Sequence, residues 1–115
     1  MATEKFQSCI DTCIKCAREC DNCATECLHE KDVSLMSRCI ELTRICAEAC
    51  YATARLMDIG GEYETEFCQA CADICNACAE ECKLHAEHGI DHCAKCYAAC
   101  LLCANECKSV AAIVN

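Results

Sequence analysis

Residues 68–82 read Cys68-Gln-Ala-Cys71-Ala-Asp-Ile-Cys75-Asn-Ala-Cys78-Ala-Glu-Glu-Cys82, a cysteine at every third or fourth position. Alternating steps of three and four follow the 3.6-residue turn of an α-helix and keep every member on one face. A strand would send successive members to opposite faces, because its side chains alternate with a period of two. The stretch is a helix, and its cysteine stripe is the inward a/d seam of a bundle.

The same register recurs on both sides. Cys9, Cys13, Cys16, Cys20, Cys23 and Cys27 step by 4, 3, 4, 3 and 4, and Cys93, Cys96, Cys100, Cys103 and Cys107 step by 3, 4, 3 and 4. A further segment carries only Cys39, Cys46 and Cys50, yet its stripe continues as Cys39, Thr43, Cys46, Cys50, Thr53, Met57. Two threonines and a methionine fill slots that the other segments give to cysteine. The repeat is most open where Cys75-Asn-Ala-Cys-Ala-Glu-Glu-Cys82 is set against Cys100-Leu-Leu-Cys-Ala-Asn-Glu-Cys107.

Turn signals separate the four segments. Glu30-Lys31-Asp32 ends the first, with Asp32 or Ser34 able to cap the next helix. Gly60-Gly61 stops the second, Gly89 stops the third, and Asp91 can cap the fourth. The expected helices span about 4–29, 34–58, 62–87 and 91–110, each roughly 30–38 Å long at 1.5 Å per residue. Short connections favour antiparallel neighbours. The expected fold is all-α: one domain over residues 1–115, an antiparallel up-down-up-down four-helix bundle with a cysteine-lined core.

Composition agrees with that frame. There is no proline and there are only three glycines, so little interrupts long helices. Leu, Ile, Val and Phe together number twenty of 115, under the roughly 20% expected of an ordinary core, while cysteine and alanine are abundant. Thiols pack as small hydrophobes, and bound metal would add to stability. A net charge of −9 argues against nucleic acid and anionic membranes as partners. No stretch approaches the ~18 apolar residues of a membrane span. The opening Met-Ala-Thr-Glu-Lys-Phe-Gln-Ser-Cys9 has no apolar run of the kind a secretory signal needs, so the chain is expected in the cytoplasm.

A cytoplasmic chain keeps its thiols reduced, so nineteen cysteines point to metal or redox chemistry and away from a disulfide framework. Residues at i and i+4 have Cβ atoms about 5–6 Å apart, and two thiolates holding one ion linearly need sulfurs on the order of 4–5 Å apart. A Cys-x-x-x-Cys pair on one helix can hold a two-coordinate ion unaided. The pairs are Cys9/Cys13, Cys16/Cys20, Cys23/Cys27, Cys46/Cys50, Cys71/Cys75, Cys78/Cys82, Cys96/Cys100 and Cys103/Cys107. Soft thiolates select Cu(I), with Zn(II) and iron–sulfur clusters as the other candidates. Zn(II) and clusters each want four ligands around one centre. Adjacent, bridging Cu(I) sites account better for a continuous stripe on four helices.

That leaves three functional readings: storage of many Cu(I) ions, a zinc or mixed-metal thiolate buffer, and an iron–sulfur electron carrier. No acid–base pair or nucleophile arrangement demands an enzyme. The candidate metal ligands are all nineteen cysteines, Cys39, Cys68 and Cys93 being on the stripes but outside the pairs named above. His85, His92 and Met36 join them, because the turns near residues 30 and 89 fall at one end of the bundle and bring these soft side chains beside the cysteine faces. His29 and His88 belong to the same end but read as solvated. The opposite end collects Phe6, Met57, Ile59, Phe67 and Ile113 as an apolar plug, with Met57 as core filler.

The stretches Cys9-Ile-Asp-Thr-Cys13-Ile-Lys-Cys16, Cys46-Ala-Glu-Ala-Cys50-Tyr-Ala-Thr-Ala, Phe67 to Cys82, and His92-Cys-Ala-Lys-Cys-Tyr-Ala-Ala-Cys100 carry a resemblance. The chain resembles the cysteine-rich four-helix-bundle copper storage proteins, in the branch lacking an export signal, over nearly its whole length. The resemblance implies Cu(I) along the bundle interior, mostly on Cys-x-x-x-Cys pairs, with His or Met at the open end and assembly into a homotetramer. Thr43 departs from a full cysteine stripe. The copper donor or acceptor protein is not implied.

Overall fold

A computed structural model describes residues 6–114. Four helices follow in order: α1 (Gln7–Cys27), α2 (Ser37–Ile59), α3 (Glu64–Ala86) and α4 (Asp91–Val114), with a 3-10 turn at Val33–Met36 before α2. Each helix packs against the next, and α4 closes back onto α1, giving an up-down-up-down rod of 48 × 19 × 17 Å. The expected first helix began at residue 4, and residues 4 and 5 lie outside those described.

Helix ends differ in detail from the sequence reading. Neither Asp32 nor Ser34 caps α2: the Ser34 hydroxyl donates to Asp32 Oδ1 at 2.6 Å, and the Val33–Met36 turn intervenes before the helix proper starts at Ser37. Two polar residues two positions apart satisfied each other, which removed the cap. Asp91 lies in the first turn of α4, and the Ile90 carbonyl accepts the first bond, from the Ala94 N–H at 3.1 Å. Its carboxylate acts through charge near the positive helix end. The glycines behave as expected. Gly60 takes φ 72° and donates to Leu56 O at 3.1 Å. Gly89 takes φ 85°, with its N–H on Ala86 O at 2.9 Å and the Ile90 N–H on His85 O at 3.3 Å, a Schellman stop.

Packing explains the shortage of large aliphatics. Buried alanines follow stripe positions at heptad intervals: Ala17 and Ala24, Ala47 and Ala54, Ala72 and Ala79, Ala104 and Ala111. A methyl group beside each seam allows the helices to come close, and closeness brings sulfurs from different helices into contact. Thr43 and Thr53 are buried in the seam of α2 and satisfy their hydroxyls on their own helix, Thr43 on Cys39 O at 2.7 Å and Thr53 on Ala49 O at 2.7 Å. The plug at the far end is smaller than expected. Phe6 and Met57 are buried, but Ile59 and Phe67 are 74% and 40% exposed, because they lie off the seam. The Ile113 side chain lies outside the described residues.

Candidate metal centre

All nineteen cysteines are buried free thiols, none more than 2% exposed. Within single helices the Sγ–Sγ distances are 4.0 Å for Cys23/Cys27 and Cys46/Cys50, and 3.9 Å for Cys71/Cys75 and Cys96/Cys100. Between helices they are as short or shorter: 3.6 Å for Cys13/Cys107, 3.7 Å for Cys46/Cys75 and for Cys13/Cys103, and 3.8 Å for Cys27/Cys39 and Cys16/Cys100. With bonds of about 2.3 Å, sulfurs lie about 4.6 Å apart across a linear ion, about 4.0 Å apart in a triangle and about 3.8 Å apart in a tetrahedron. The thiols therefore stand at three- or four-coordinate spacing. The i, i+4 pair foreseen from the sequence is present, but neighbouring helices offer sulfurs at the same range.

Four-sulfur groups within 4.8 Å of one another run along the rod: Cys23, Cys27, Cys39 and Cys93; Cys20, Cys78, Cys96 and Cys100; Cys16, Cys20, Cys46 and Cys100; Cys16, Cys46, Cys50 and Cys75; Cys13, Cys71, Cys103 and Cys107. Cys16, Cys20, Cys46 and Cys100 each belong to two of these groups. The sites are a shared lattice, and sharing is what bridging thiolates require.

Charge inside this lattice is unbalanced by any cation. The buried polar side chains among the described residues are Thr43, Thr53 and Glu64, with no lysine or arginine. Burial, and then neighbouring Cys39, push the Cys27 thiol up to about 12. Farther along, hydrogen bonding with Cys107 and then Cys13 draws Cys103 down to about 6. Cys13 and Cys107 are correspondingly raised, Cys103 being the largest cause for each. Neighbouring thiols thus compete for protons, one raised where the next is drawn down.

At the loop end His92 enters the lattice. Its Nδ1 lies 3.5 Å from Cys23 Sγ and 3.6 Å from Cys93 Sγ, and its Nε2 lies 3.0 Å from a Glu30 carboxylate oxygen. A carboxylate only accepts, so Nε2 carries the proton and Nδ1 turns its lone pair to the two thiols. His85 pairs its Nε2 with Glu81 at 2.9 Å, and Arg38 reaches the other oxygen of Glu81 at 3.5 Å. Met36 is buried, and together with Leu84, His85, His88 and Ile90 it lines a cleft of about 490 Å³ at this end. His29 and His88 are exposed.

Two residues with a place here were not singled out as ligand partners from the sequence. Glu30 was read only as part of a turn, and its 62-residue separation from His92 carries no sequence signal. Met57 was read as filler, but its Sδ lies 3.8 Å from Cys68 Sγ.

The comparisons with known proteins bear on this geometry. A family model described as copper storage protein matches residues 2–112. The Cu(I)-bound copper storage protein BsCsp3 superposes with a TM-score of 0.85 at 40% identity, over 96% of this chain and 99% of that one. Apo copper storage protein 3 from Bacillus subtilis gives 0.82 at 41% identity, over 91% and 97%. The cytosolic copper storage protein from Streptomyces lividans, solved during copper loading, gives 0.91 at 36% identity, over 96% and 95%. A search of curated proteins gives no match. A match along almost the whole chain, on a bundle whose seam is mostly thiol, means that this chain belongs to the copper storage protein family.

Proposed function

We propose that the protein stores Cu(I), many ions per chain, on cysteine thiolates inside the bundle, with His92, His85 and Met36 serving the loop end. The observation that carries this reading is the shared, cation-free thiol lattice. Four thiolates around one Zn(II) leave a charge of −2, and burying unpaired charge is expensive. One Cu(I) per thiolate leaves none. Neutrality therefore favours the monovalent soft ion and sets the capacity near one ion per cysteine, while the zinc-buffer reading requires a dry core to hold repeated dianions. An iron–sulfur carrier needs a cage on four cysteines and leaves the remaining fifteen without a task.

The reading is storage in the cytoplasm and not catalysis. Its support is the family, the Streptomyces relative described as cytosolic, and the absence of any helix among the described residues long and apolar enough to cross a membrane. Anaerobic titration with Cu(I) against a chromophoric competitor tests it. Saturation should come near one ion per cysteine, and Zn(II) offered at equal free concentration should not displace the bound copper. Saturation at one or two ions per chain would defeat the proposal.

A further inference from the structure

We infer that Met57 is a metal ligand that closes the lattice at the end remote from the histidines, completing a thioether–thiolate site with Cys68, Cys9 and Cys107. The inference rests on the Cu(I) reading above. Met57 is completely buried, and its Sδ lies 3.8 Å from Cys68 Sγ, close to the roughly 4.0 Å expected for two sulfurs of a three-coordinate ion. Cys9 and Cys107 stand 3.8 Å apart at the same end of the seam, and these two thiols are the strongest influences on the Cys68 thiol. Phe6 and Val110 are buried here too, so water is a poor competitor for the open valence of an ion at this level.

Register and charge favour a thioether at this position. The last two seam slots of α2 are Thr53 and Met57, so this helix gives no thiolate to the final layer. The Thr53 hydroxyl is committed to Ala49 O at 2.7 Å, which leaves Met57 as the soft donor that α2 can offer. An ion inside the lattice shares thiolates with ions on both sides. A terminal ion has neighbours on one side only, and a neutral thioether completes its coordination without adding charge. Thioethers share the preference of thiolates for Cu(I).

Selenium reports this ligand directly. The Met36→Leu chain, grown on selenomethionine, keeps selenium at positions 1 and 57, and Met36→Leu/Met57→Leu keeps it at position 1 alone. Both are loaded anaerobically to saturation with Cu(I) and examined by X-ray absorption at the selenium edge. A selenium–copper shell slightly beyond the about 2.3 Å of a metal–sulfur bond is expected in the first and not in the second. Capacity should also fall by about one ion per chain when Met57 is replaced. Full copper uptake with no selenium–copper shell in the first chain would show Met57 to be packing alone and overturn the inference. Failure of both chains and of the parent to take up copper would instead overturn the storage reading, and this inference with it.

Discussion

Single residues decide how the first ions meet the lattice. Glu30 fixes the tautomer of His92, so, on the storage reading proposed above, Glu30→Ala should free the ring and weaken an ion bound by Nδ1, Cys23 and Cys93 by roughly 10-fold or more while total capacity stands. The 15N shift of His92 Nδ1, followed as Cu(I) is added to histidine-labelled protein, reads this site apart from the others. Protons provide a second measure. A thiol such as Cys27, raised to about 12, is protonated at pH 7, and binding must displace that proton. Loading at pH 7 in weak buffer should release a proton from each thiol raised as Cys27 is and little from those drawn down as Cys103 is, so the total stays below one proton per cysteine, seen with a pH indicator. Each displaced proton makes apparent affinity rise by about tenfold per pH unit below the thiol's own pKa. Uptake without acidification would show the thiols already ionised. The inward thiol face that the cysteines form was legible from their identity and spacing. The part played by Glu30 was not, because a turn glutamate looks the same in sequence whether or not it faces a distant histidine.

At the scale of the helix, register governs the chemistry. The 3/4 steps put six, five and five cysteines on the seams of α1, α3 and α4, and α2 keeps the same seam with Thr43, Thr53 and Met57 in its gaps. All of that was readable, since periodicity is a local property of the chain. The alanines beside the seam are the element-scale feature whose meaning appeared only on packing. Ala72 is 1% exposed, so Ala72→Leu should force α3 away from its neighbours and destabilise the apo protein by about 1–3 kcal/mol, measured by urea unfolding under reducing conditions. Unchanged stability would mean the helices do not need their close approach. The capping errors at Asp32 and Asp91 arose at the same scale: a cap depends on which partner a side chain finds within a few ångströms, and composition alone names only the candidates.

Across the whole molecule the rod has two unlike ends and a lattice joining them. Histidines, Met36 and a cleft stand at the loop end, while Phe6, Met57 and Val110 cover the other. Large apolar side chains remain outside, with Leu28, Leu35, Leu84 and Leu102 each more than half exposed, and such surface is consistent with the homotetramer that the resemblance implies. Analytical ultracentrifugation at micromolar concentration should give four chains per particle, and a monomer would remove that expectation. The sequence by itself determined that this chain is four helices with a thiol face on each, and that a soft metal is the natural occupant. Those conclusions depend on spacing along one helix and on ligand chemistry, which require no knowledge of neighbours. Tertiary structure alone decided that sulfurs of different helices meet at 3.6–3.9 Å, that Cys16, Cys20, Cys46 and Cys100 are each shared between groups, that Glu30 sets His92, and that Met57 meets Cys68. The physical reason is that these contacts join residues on different elements, eleven or more positions apart, and their distances follow from how closely the alanine-flanked seams can pack.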